Sequence, residues 1–459
     1  MPEAPDRQQV VDQLEAINAA LGSGMYVHVR KMMQHMPPAD VALILESSPA
    51  RSRAVLWQML DPDYHSDVLE ELSEDVRNGI IRNMVPEKLA EVLEEMDTDD
   101  LAELLNGLPD KVVQDVLRSM ATQDRARAEQ ALSYGDGTAG FIMNTDTITL
   151  RPEVTIDVIL RYLRLKNTLP EGTDTLYVTN RHDKLIGTIS LATLLTSAPD
   201  LSVEEVMEEE PETIPVDMEE GEIAKLFERH NWLSAPVVDD NGTLKGRITI
   251  DDVVDIIRED AEHSMMSMAG LEDEEDTFAP VVKSTQRRSV WLGVNLATAL
   301  MAAAVSNMFE ETLSQLAVLA ILNTIVPSMG GVAGNQTLTL VIRGMALGHV
   351  GTTNSRWLIA KELSIGLLNG LIWALLIASV VAFWKQDLVL GGVIAFAMMV
   401  NMIAAGLSGA VLPIAMKKAK IDPALAGSVI LTTITDVVGI FAFLGTASIF
   451  LVQPSQLVR

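Results

Sequence analysis

The chain has 459 residues, with 34 Lys and Arg against 63 Asp and Glu and a formal net charge of −29. The charge is uneven, because residues 1–288 contain 57 acids and 26 bases whereas residues 289–459 contain six acids and eight bases. This balance argues against nucleic acid as a partner, and the absence of cysteine from the sequence excludes disulfides, thiolate nucleophiles and cysteine-ligated metal sites. An acidic half followed by an apolar, charge-poor half predicts a soluble region joined to a membrane region.

Residues 1–133 are predicted to form an acidic domain made only of helices. Segments 85–96, 97–109 and 110–120 each have Pro, Asp or Thr near the start and apolar residues three and four positions apart, as short capped helices do. Because these segments resemble one another, we expect a helical superhelix. Asp99 and Glu103 lie four residues apart and therefore share one helix face. The first residues lack the basic and apolar regions of a signal peptide, so this half is expected in the cytoplasm.

A duplicated pattern begins at Phe141 and occupies residues 141–200 and 201–258. Each copy reads as a short strand, a helix, a strand that ends at a polar turn, another strand and a closing helix. The polar turns are Arg181–Lys184 and Asp239–Gly242. This internal duplication resembles a pair of CBS (cystathionine-β-synthase) domains of the α/β class.

Acidic residues are concentrated at the end of the soluble half. Residues 208–222 contain eight acids and no base, and residues 251–276 contain eleven acids and one base. Asp252, Asp255, Glu259 and Glu262 are spaced so that a helix would place all four on one face. A solvated acidic face is the alternative interpretation. Because residues 259–285 lead to the first apolar run, we favour a switch in which a divalent cation relieves the repulsion between facing carboxylates.

The last part, residues 286–459, contains five apolar runs that are long enough to cross a membrane. They are 289–309, 314–342, 363–384, 388–416 and 424–452. Basic residues cluster before run one, between runs two and three, and between runs four and five, which is one side of a five-span protein. The positive-inside rule then predicts a multi-pass protein of the cell (inner or plasma) membrane with its N-terminus in the cytoplasm and its C-terminus outside.

Run two is interrupted by PSMGGVAGNQ, from Pro327 to Gln336. A proline and several glycines are expected to unwind or kink the helix there and to free backbone carbonyls, which is tolerated only beside protein or a water-filled cavity. The alternative is close helix packing by small residues. Asn335 and Gln336 favour a cavity.

Run five carries Asp436 among apolar residues, where a carboxylate is costly and usually marks an ion pathway. The alternative is a protonated Asp436 that is hydrogen-bonded to a neighbouring helix. Ser428, Thr432, Asp436 and Gly439 share one helix face and form a candidate ion-pore strip. Oxygen ligands with a single carboxylate suit a hard cation, and Mg²⁺ fits best because it keeps most of its water, although Ca²⁺, Mn²⁺ or a monovalent ion remain open.

The order of these parts, together with PSMGGVAGNQxxTLVIRG, DPAL (422–425) and TDVVG (435–439), resembles the MgtE family of magnesium channels and transporters. The resemblance implies a multidomain fold: an all-α superhelical N domain, tandem α/β CBS domains, an acidic connecting "plug" helix and a five-helix membrane domain. It also implies a homodimer with a pore between the membrane halves, which the plug helices close when cytoplasmic Mg²⁺ is high. The pore would include Asp436 and Asn335. With Glu259 from the spacing above, the regulatory Mg²⁺ ligands would be Asp99, Glu103, Asp217, Glu219, Glu222, Asp252, Asp255 and Asp260.

The resemblance has departures. Val332 stands where the family often has Asn, Ser428 stands where a polar Asn can occur, and His263 and Ser264 replace acids near the end of the plug. These positions put the pore ligands and one regulatory site in question.

A candidate ATP site lies in the second CBS copy. Thr249 and Asp252 fit the T-x-x-D pattern with which CBS units can hold a nucleotide ribose. The first copy has Ser190 and Thr193 and lacks the acid. ATP is therefore a candidate ligand of the CBS pair.

The leading hypothesis is a magnesium-conducting dimer that is gated by magnesium. A membrane-tethered nucleotide sensor and an exporter driven by an ion gradient are the alternatives, and ATP binding without ion flux or a dependence on a sodium or proton gradient would distinguish them. The sequence contains no P-loop or nucleophile motif, so an enzyme is not expected.

Overall fold

The computed structural model describes residues 16–17, 19–21, 23–94, 96–166, 168–170, 172–271, 276–351 and 353–451, without the side chains of residues 123 and 124. It divides into two compact units. The first unit comprises Met1–Glu262 with Glu274–Pro280, and the second comprises His263–Asp273 with Val281–Arg459.

The N-terminal part of the first unit is helical, as predicted. Its helices are short because Pro or Asp recurs at their starts, where a missing N–H donor or an acidic side chain is favourable. Leu45, Leu56 and Leu93 are fully buried in the shared core. The helices are α1 (Tyr26–Met33), α2 (Pro38–Glu46), α3 (Ala50–Trp57), α4 (His65–Glu70), α5 (Glu74–Ile81), α6 (Pro86–Leu93), α7 (Thr98–Asn106), α8 (Asp110–Ser119) and α9 (Thr122–Ala131).

The rest of the first unit contains the predicted duplication. Its elements are α10 (Ala139–Ile142), β1 (Thr149–Leu150), α11 (Ile156–Lys166), β2 (Thr175–Thr179), β3 (Leu185–Ser190), α12 (Leu191–Thr196), α13 (Val203–Val206), β4 (Glu208–Glu209), β5 (Ile214–Pro215), α14 (Glu220–His230), β6 (Ser234–Val238) and β7 (Leu244–Thr249). The sheets have the orders β1-β2-β3-β4 and β5-β6-β7. In both, the first strand is parallel to the second and the second is antiparallel to the third. The register shifts at equivalent places, Val178/Thr179 and Val237/Val238, which confirms that one unit occurs twice.

The two polar turns pair with each other. Leu185 N donates to Gly242 O (3.0 Å), and Leu244 N donates to Asp183 O (3.1 Å). Asp183 and Gly242 have φ values of 55° and 76°, so both turns need a left-handed residue. The reciprocal bonds join the two copies tip to tip.

A long helix, α15 (Ile250–Met268), begins directly after β7. The predicted boundary between residues 258 and 259 therefore falls inside one continuous helix. Further along, Asp276 forms a buried, two-pronged ion pair with Arg53: Nη1 donates to Oδ2 (2.9 Å) and Nη2 donates to Oδ1 (3.2 Å). This pair fixes part of the linker to the helical domain.

The second unit contains α16 (Val281–Asn307), α17 (Glu310–Gln315), α18 (Ala317–Leu322), α19 (Ile325–Ala346), α20 (Ser355–Lys385), α21 (Leu388–Lys418) and α22 (Pro423–Phe450). Among the described residues, five segments are long and apolar enough to cross a membrane, which confirms the predicted number of spans. They are Val281–Asn307, Ala317–Ala346, Ser355–Lys385, Leu388–Lys418 and Pro423–Phe450. Leu319, Ile394 and Phe443 lie fully buried in their common core.

The expected break within PSMGGVAGNQ is wrong, because residues 327–336 belong to the continuous helix α19. Pro327 is its third residue, where no intrahelical N–H bond is lost. Span two is interrupted earlier, between α18 and α19. The glycines serve close packing instead: a Cβ on Gly330 would overlap the Asn401 amide, and one on Gly334 would lie 3.0 Å from Leu431 Cδ1. In a membrane, such small residues let helix backbones approach while every peptide group stays bonded within its helix.

Candidate cation sites

The first unit contains a cavity of about 390 Å³, which we call the acidic cavity. Of the residues that the structure describes, nine carboxylates and one guanidinium line it. The charged lining residues are Glu74, Arg77, Asp99, Asp100, Glu103, Asp136, Glu220, Asp252, Asp255 and Glu259. The cavity therefore lies between the helical domain, the CBS pair and the start of α15.

Helix α7 supplies the centre of this surface. Leu101, Leu104 and Leu105 are buried in the unit, so the acidic residues of the helix face the other way. Asp99 and Asp100 belong to the first turn of α7, where the exposed N–H groups of the helix favour negative charge. The amphipathic sequence of α7 is what presents its carboxylates to the cavity.

Burial acts strongly on these carboxylates. It raises the pKa of Asp99 well above the ordinary value, and the neighbouring Asp100 and Asp252 raise it further. Burial, with Glu70 and Glu103 nearby, raises the pKa of Asp100 to about 8. Burial also raises the pKa of Asp252 to about 6. Asp100 thus holds a proton near neutral pH, and a cation that entered would displace it.

One carboxylate oxygen of these acids lacks a hydrogen bond within the described residues. Asp99 Oδ1 is buried and has no hydrogen-bond partner within the described part of the chain. Leaving a buried oxygen of this kind unbonded costs free energy, which a bound cation or water would recover.

Arg77 is the counter-charge on the cavity wall. Its Nη2 donates to Glu103 Oε1 (2.5 Å), and its side chain is 7% exposed. Glu103 is itself 51% exposed, so this pair lies at the rim between protein and water. Arg258 Nη2 also pairs with Asp255 Oδ1 (3.2 Å), so two guanidiniums lie close to the nine carboxylates of the described lining.

The structure brings together five of the predicted regulatory residues: Asp99, Glu103, Asp252, Asp255 and Glu259. Four others, Asp217, Glu219, Glu222 and Asp260, are exposed and do not line the cavity. Glu220 lines it instead, and burial together with Asp260 raises the pKa of Glu220. Glu220 lies three and seven residues before the buried Ile223 and Phe227 of α14, so it shares their inward face, and that apolar spacing is the signal that could have separated it from its neighbours.

No three His, Asp or Glu side chains converge closely enough to hold a metal ion directly, among the residues that the structure describes. The acidic cavity instead spaces its carboxylates around a volume that has room for water. Mg²⁺ releases its water reluctantly and is often held through it, so this arrangement fits a hydrated ion.

The candidate nucleotide residues bond to each other. Both the backbone N and Oγ1 of Thr249 donate to Asp252 Oδ2, at 2.9 and 2.8 Å. In the first copy, Ser190 Oγ caps the next helix by accepting from Thr193 N (3.0 Å). Asp252 therefore belongs both to the T-x-x-D turn and to the acidic cavity.

In the second unit, helices α19 and α22 bring the pore candidates together. Ser428 Oγ donates to Asn335 Oδ1 (3.1 Å), which links the glycine-rich segment to the predicted strip. Thr432 Oγ1 donates to the backbone oxygens of Ser428 and Val429 and keeps its own oxygen available. Asp436 is partly buried and, in the described ranges, has no hydrogen-bond or ion-pair partner.

Gly439 has a different place from the other three residues of the strip. It is buried, and a Cβ there would lie 3.0 Å from Asn401 Nδ2 and 3.2 Å from the backbone N of Pro327. Asn401 is fully buried and donates to Val326 O (2.7 Å). Asn401 thus packs between the start of α19 and the middle of α22, a role that the sequence did not indicate.

The departures also have definite positions. Val332 is 58% exposed, so it lies off the face of α19 that contacts α22. His263 Nε2 lies 3.1 Å from Asp422 Oδ2, and Asp422 caps α22 by accepting from Ala424 N (2.9 Å). His263 therefore contacts a carboxylate at a position where the family has an acid.

Comparison with known proteins finds matches to four segments of the chain. Family models match as a divalent cation transporter (residues 323–446), an intracellular N domain of the same family (36–137) and two CBS domains (139–200 and 203–259). A magnesium transporter of Bacillus subtilis is 28% identical over 433 residues, which are 94% of this chain and 96% of that protein. One of Thermus thermophilus is 28% identical and covers 71% of this chain and 73% of its own length.

A solved structure matches the first unit. It is the cytosolic domain of a Mg²⁺ channel, crystallised in complex with ATP, and it shares 27% identity with this chain. The match covers 53% of this chain and 99% of that one, with a TM-score of 0.50.

Proposed function

Because the chain belongs to the MgtE family of divalent cation transporters, we propose that it carries Mg²⁺ across a membrane past Asp436 and that its acidic cavity senses Mg²⁺ and regulates the flow. The magnesium transporters to which it is similar along most of their length support this substrate. The observation that carries the proposal is Asp436, a carboxylate in the middle of a membrane helix that has no hydrogen-bond or ion-pair partner among the described residues.

Asp436 acts as the ion-attracting charge of the pathway. A lone carboxylate in lipid is costly, and a hydrated Mg²⁺ passing beside it would offset that cost. Thr432 and the Asn335–Ser428 pair lie on the same side of the helix and offer neutral oxygens to the water shell of the ion. The pathway selects for small, strongly hydrated cations because it offers one charge and several hydrogen-bonding groups.

The pathway is completed by a second copy of the chain. Only 6% of the apolar window of the first span is buried within the described residues, so most of that surface is left for lipid or a partner. A homodimer with Asp436 from each protomer at the interface would place two carboxylates around one ion. The basic clusters before span one, between spans two and three, and between spans four and five support an N-terminus in the cytoplasm and a C-terminus outside.

The acidic cavity acts as the regulator. At low Mg²⁺ its carboxylates repel one another and Asp100 holds a proton, whereas bound Mg²⁺ would displace that proton and join α7 to the start of α15. Helix α15 has its first part in the first unit and its last residues in the second, so it is the element through which binding would be transmitted. ATP bound at Thr249 and Asp252 would act on the same helix, since Asp252 also lines the cavity.

The pore is tested with purified full-length protein in liposomes that contain a Mg²⁺ indicator. Asp436→Asn is expected to lower uptake about a hundredfold, because the isosteric amide keeps the shape and removes the charge. Glu311→Gln, at an exposed acid beside α16, is the matched control and should transport like wild type. Normal uptake by Asp436→Asn would rule out this pore.

The gate is tested in the same liposomes, with Mg²⁺ varied separately inside and outside. Uptake should fall as Mg²⁺ rises on the side of the acidic half, and Asp252→Asn should need about tenfold more Mg²⁺ for half inhibition. Glu91→Gln, at an exposed acid away from the cavity, should keep the wild-type response. Inhibition that is identical in wild type and Asp252→Asn contradicts the sensor. Uptake that requires a sodium or proton gradient would favour a coupled exporter.

A further inference from the structure

A second carboxylate lies inside the membrane unit, on the third span. Glu362 belongs to helix α20, is 2% exposed, and accepts a hydrogen bond at Oε2 from Thr337 Oγ1 of helix α19 (3.1 Å). Such a residue is expensive in a membrane protein and is by default a candidate for function. The sequence prediction missed it because it began the third apolar run one residue later.

Glu362 forms an ion pair with the adjacent Lys361, but the pair has poor hydrogen-bond geometry. Lys361 Nζ lies 3.2 Å from Oε1, but the two residues are adjacent on a helix, so their side chains point in different directions. Oε1 is buried and has no hydrogen-bond partner in the ranges that the structure describes, although the ammonium is close. Lys361 is 40% exposed and can turn toward the membrane surface, as long cationic side chains do. The ammonium is therefore near Oε1 without being bonded to it.

A cavity of about 190 Å³ opens beside this carboxylate. Gln336, Thr337, Glu362 and Asn369 give it amide, hydroxyl and carboxylate oxygens. At about 30 Å³ per water molecule, that volume holds an ion and a few waters. The backbone of α20 comes close to α21 here, since a Cβ on Gly406 would lie 2.9 Å from Glu362 O.

This cavity is separate from the Asp436 pathway. Asn335 bonds to Ser428 of α22, whereas Thr337 bonds to Glu362 of α20. Residues that are two apart in an α-helix differ by about 200° around its axis, so Asn335 and Thr337 lie on opposite faces of α19. A ligand in one place would not contact the other.

We propose that the Glu362 cavity is a second cation site, which binds one alkali-metal ion such as Na⁺ in place of the Lys361 ammonium. The charge balance favours a monovalent ion, because Na⁺ replaces the ammonium one for one and keeps the site neutral. A divalent ion would leave a surplus positive charge in a region of low dielectric constant. Neutral oxygens around a single carboxylate complete the coordination, as in other membrane proteins that bind Na⁺.

The test is Na⁺ binding to the purified full-length protein in detergent and a choline buffer, measured by ²³Na NMR relaxation. Wild type should show one saturable site per chain. Glu362→Gln should weaken binding about tenfold or more, because it removes the anionic ligand. Lys361→Met should tighten binding about tenfold, because it removes the competing ammonium and leaves the carboxylate unpaired. Glu310→Gln, at an exposed acid, is the control and should bind like wild type.

A second variant keeps the test informative if Glu362→Gln does not fold. Thr337→Val keeps the volume and the carboxylate, and should weaken Na⁺ binding a few-fold while its thermal melting stays close to wild type. Binding unchanged in Glu362→Gln, or not tightened in Lys361→Met, would overturn the proposal. So would Mg²⁺ competing for the site at lower concentration than Na⁺, or a response to pH alone. The site does not depend on the proposed pore, since Asp436→Asn should lose Mg²⁺ uptake and keep Na⁺ binding.

Discussion

The acidic cavity and the membrane pathway use carboxylates in opposite ways. In the described residues, nine carboxylates and one guanidinium line the cavity, and burial raises the pKa of Asp100 to about 8. The membrane pathway has one carboxylate, Asp436, with no partner in the described chain. In the hydrated cavity, the charge of the crowded acids changes gradually as cations replace protons. An isolated acid in lipid instead keeps one constant charge. The first arrangement suits sensing and the second suits conduction.

The two regions also differ in how they are packed. The soluble unit surrounds Leu45, Leu56 and Leu93 with short, capped helices, so its core is made by aliphatic volume. The membrane unit brings helices together at glycines, with Gly330, Gly409 and Gly439 in contact with side chains or backbone of neighbouring spans. The hydrophobic effect does not favour helix association in lipid, so close van der Waals packing at the glycines holds the spans together instead.

The largest expected effect tests that close fit. Gly330→Ala places a methyl group against the buried Asn401 amide, which cannot retreat because it packs between α19 and α22. Overpacking of this kind costs about 1–3 kcal/mol, and we expect a lower melting temperature in detergent and loss of Mg²⁺ uptake.

The neighbouring glycine is the matched control for this change. A Cβ on Gly331 would have its nearest contacts at 3.9 Å, so Gly331→Ala should fold and transport like wild type or be slightly more stable. If both variants behave alike, the tight approach at Gly330 is not what holds the spans together.

The next effect tests the crowded acids. The pKa of Asp100 is raised from 3.8 to about 8, so the folded chain binds this proton more tightly than the unfolded chain does. The stabilisation is therefore complete below about pH 4 and is lost as pH rises through about 8. Hydrogen–deuterium exchange of α7 in the full-length protein should show about tenfold more protection at pH 6 than at pH 8, after correction for intrinsic rates.

Two additions make this prediction specific. Asp100→Asn should flatten the pH dependence, since the amide cannot be ionised, whereas Glu91→Gln should leave it as in wild type. Mg²⁺ added at pH 8 should restore protection in the wild type, because it replaces the lost protons. Protection that rises with pH would contradict the crowding of acids at this cavity.

Much of this architecture could be predicted from the sequence because the spacing of apolar residues and the distribution of charges indicate which residues are buried. The spacing of apolar residues gave the helical domain, the duplicated strand pattern and the five spans. The spacing of Asp252, Asp255, Glu259 and Glu262 predicted four acids on one face of α15; the first three line the cavity, whereas Glu262 is exposed and does not. These features depend on local chain geometry.

What could not be predicted depends on contacts between distant segments. The glycines of PSMGGVAGNQ suggested a broken helix, since the sequence does not show that Asn401 and Leu431 approach them. Glu220, and not Glu219 or Glu222, lines the cavity because it shares a helix face with the buried Ile223 and Phe227. Glu362 falls just outside the third predicted apolar run, which begins at residue 363, because two adjacent charged residues look like the end of a span.

A smaller effect concerns Arg77, the basic residue that lines the acidic cavity in the described part of the chain. Arg77→Gln should tighten Mg²⁺ binding about threefold, because it removes a positive charge that competes with the ion. Half inhibition of uptake should then occur at about threefold less Mg²⁺. Arg118→Gln, at a side chain that is 73% exposed, should not change the response. A weaker response in Arg77→Gln would mean that the guanidinium positions Glu103 for the ion instead of competing with it.

The smallest effect tests the neutral part of the membrane pathway. Ser428→Ala removes the hydroxyl that donates to Asn335 Oδ1 but leaves Asp436 in place. Losing one neutral hydrogen bond costs about 1 kcal/mol, so we expect Mg²⁺ uptake to fall only a few-fold, against the hundredfold fall for Asp436→Asn. Ser448→Ala, which removes a bond to Gly445 O nearer the end of the same helix, should transport like wild type. A loss in Ser428→Ala as large as in Asp436→Asn would mean that the Asn335–Ser428 contact carries the site, and that the contrast between one essential charge and its replaceable neutral neighbours is wrong.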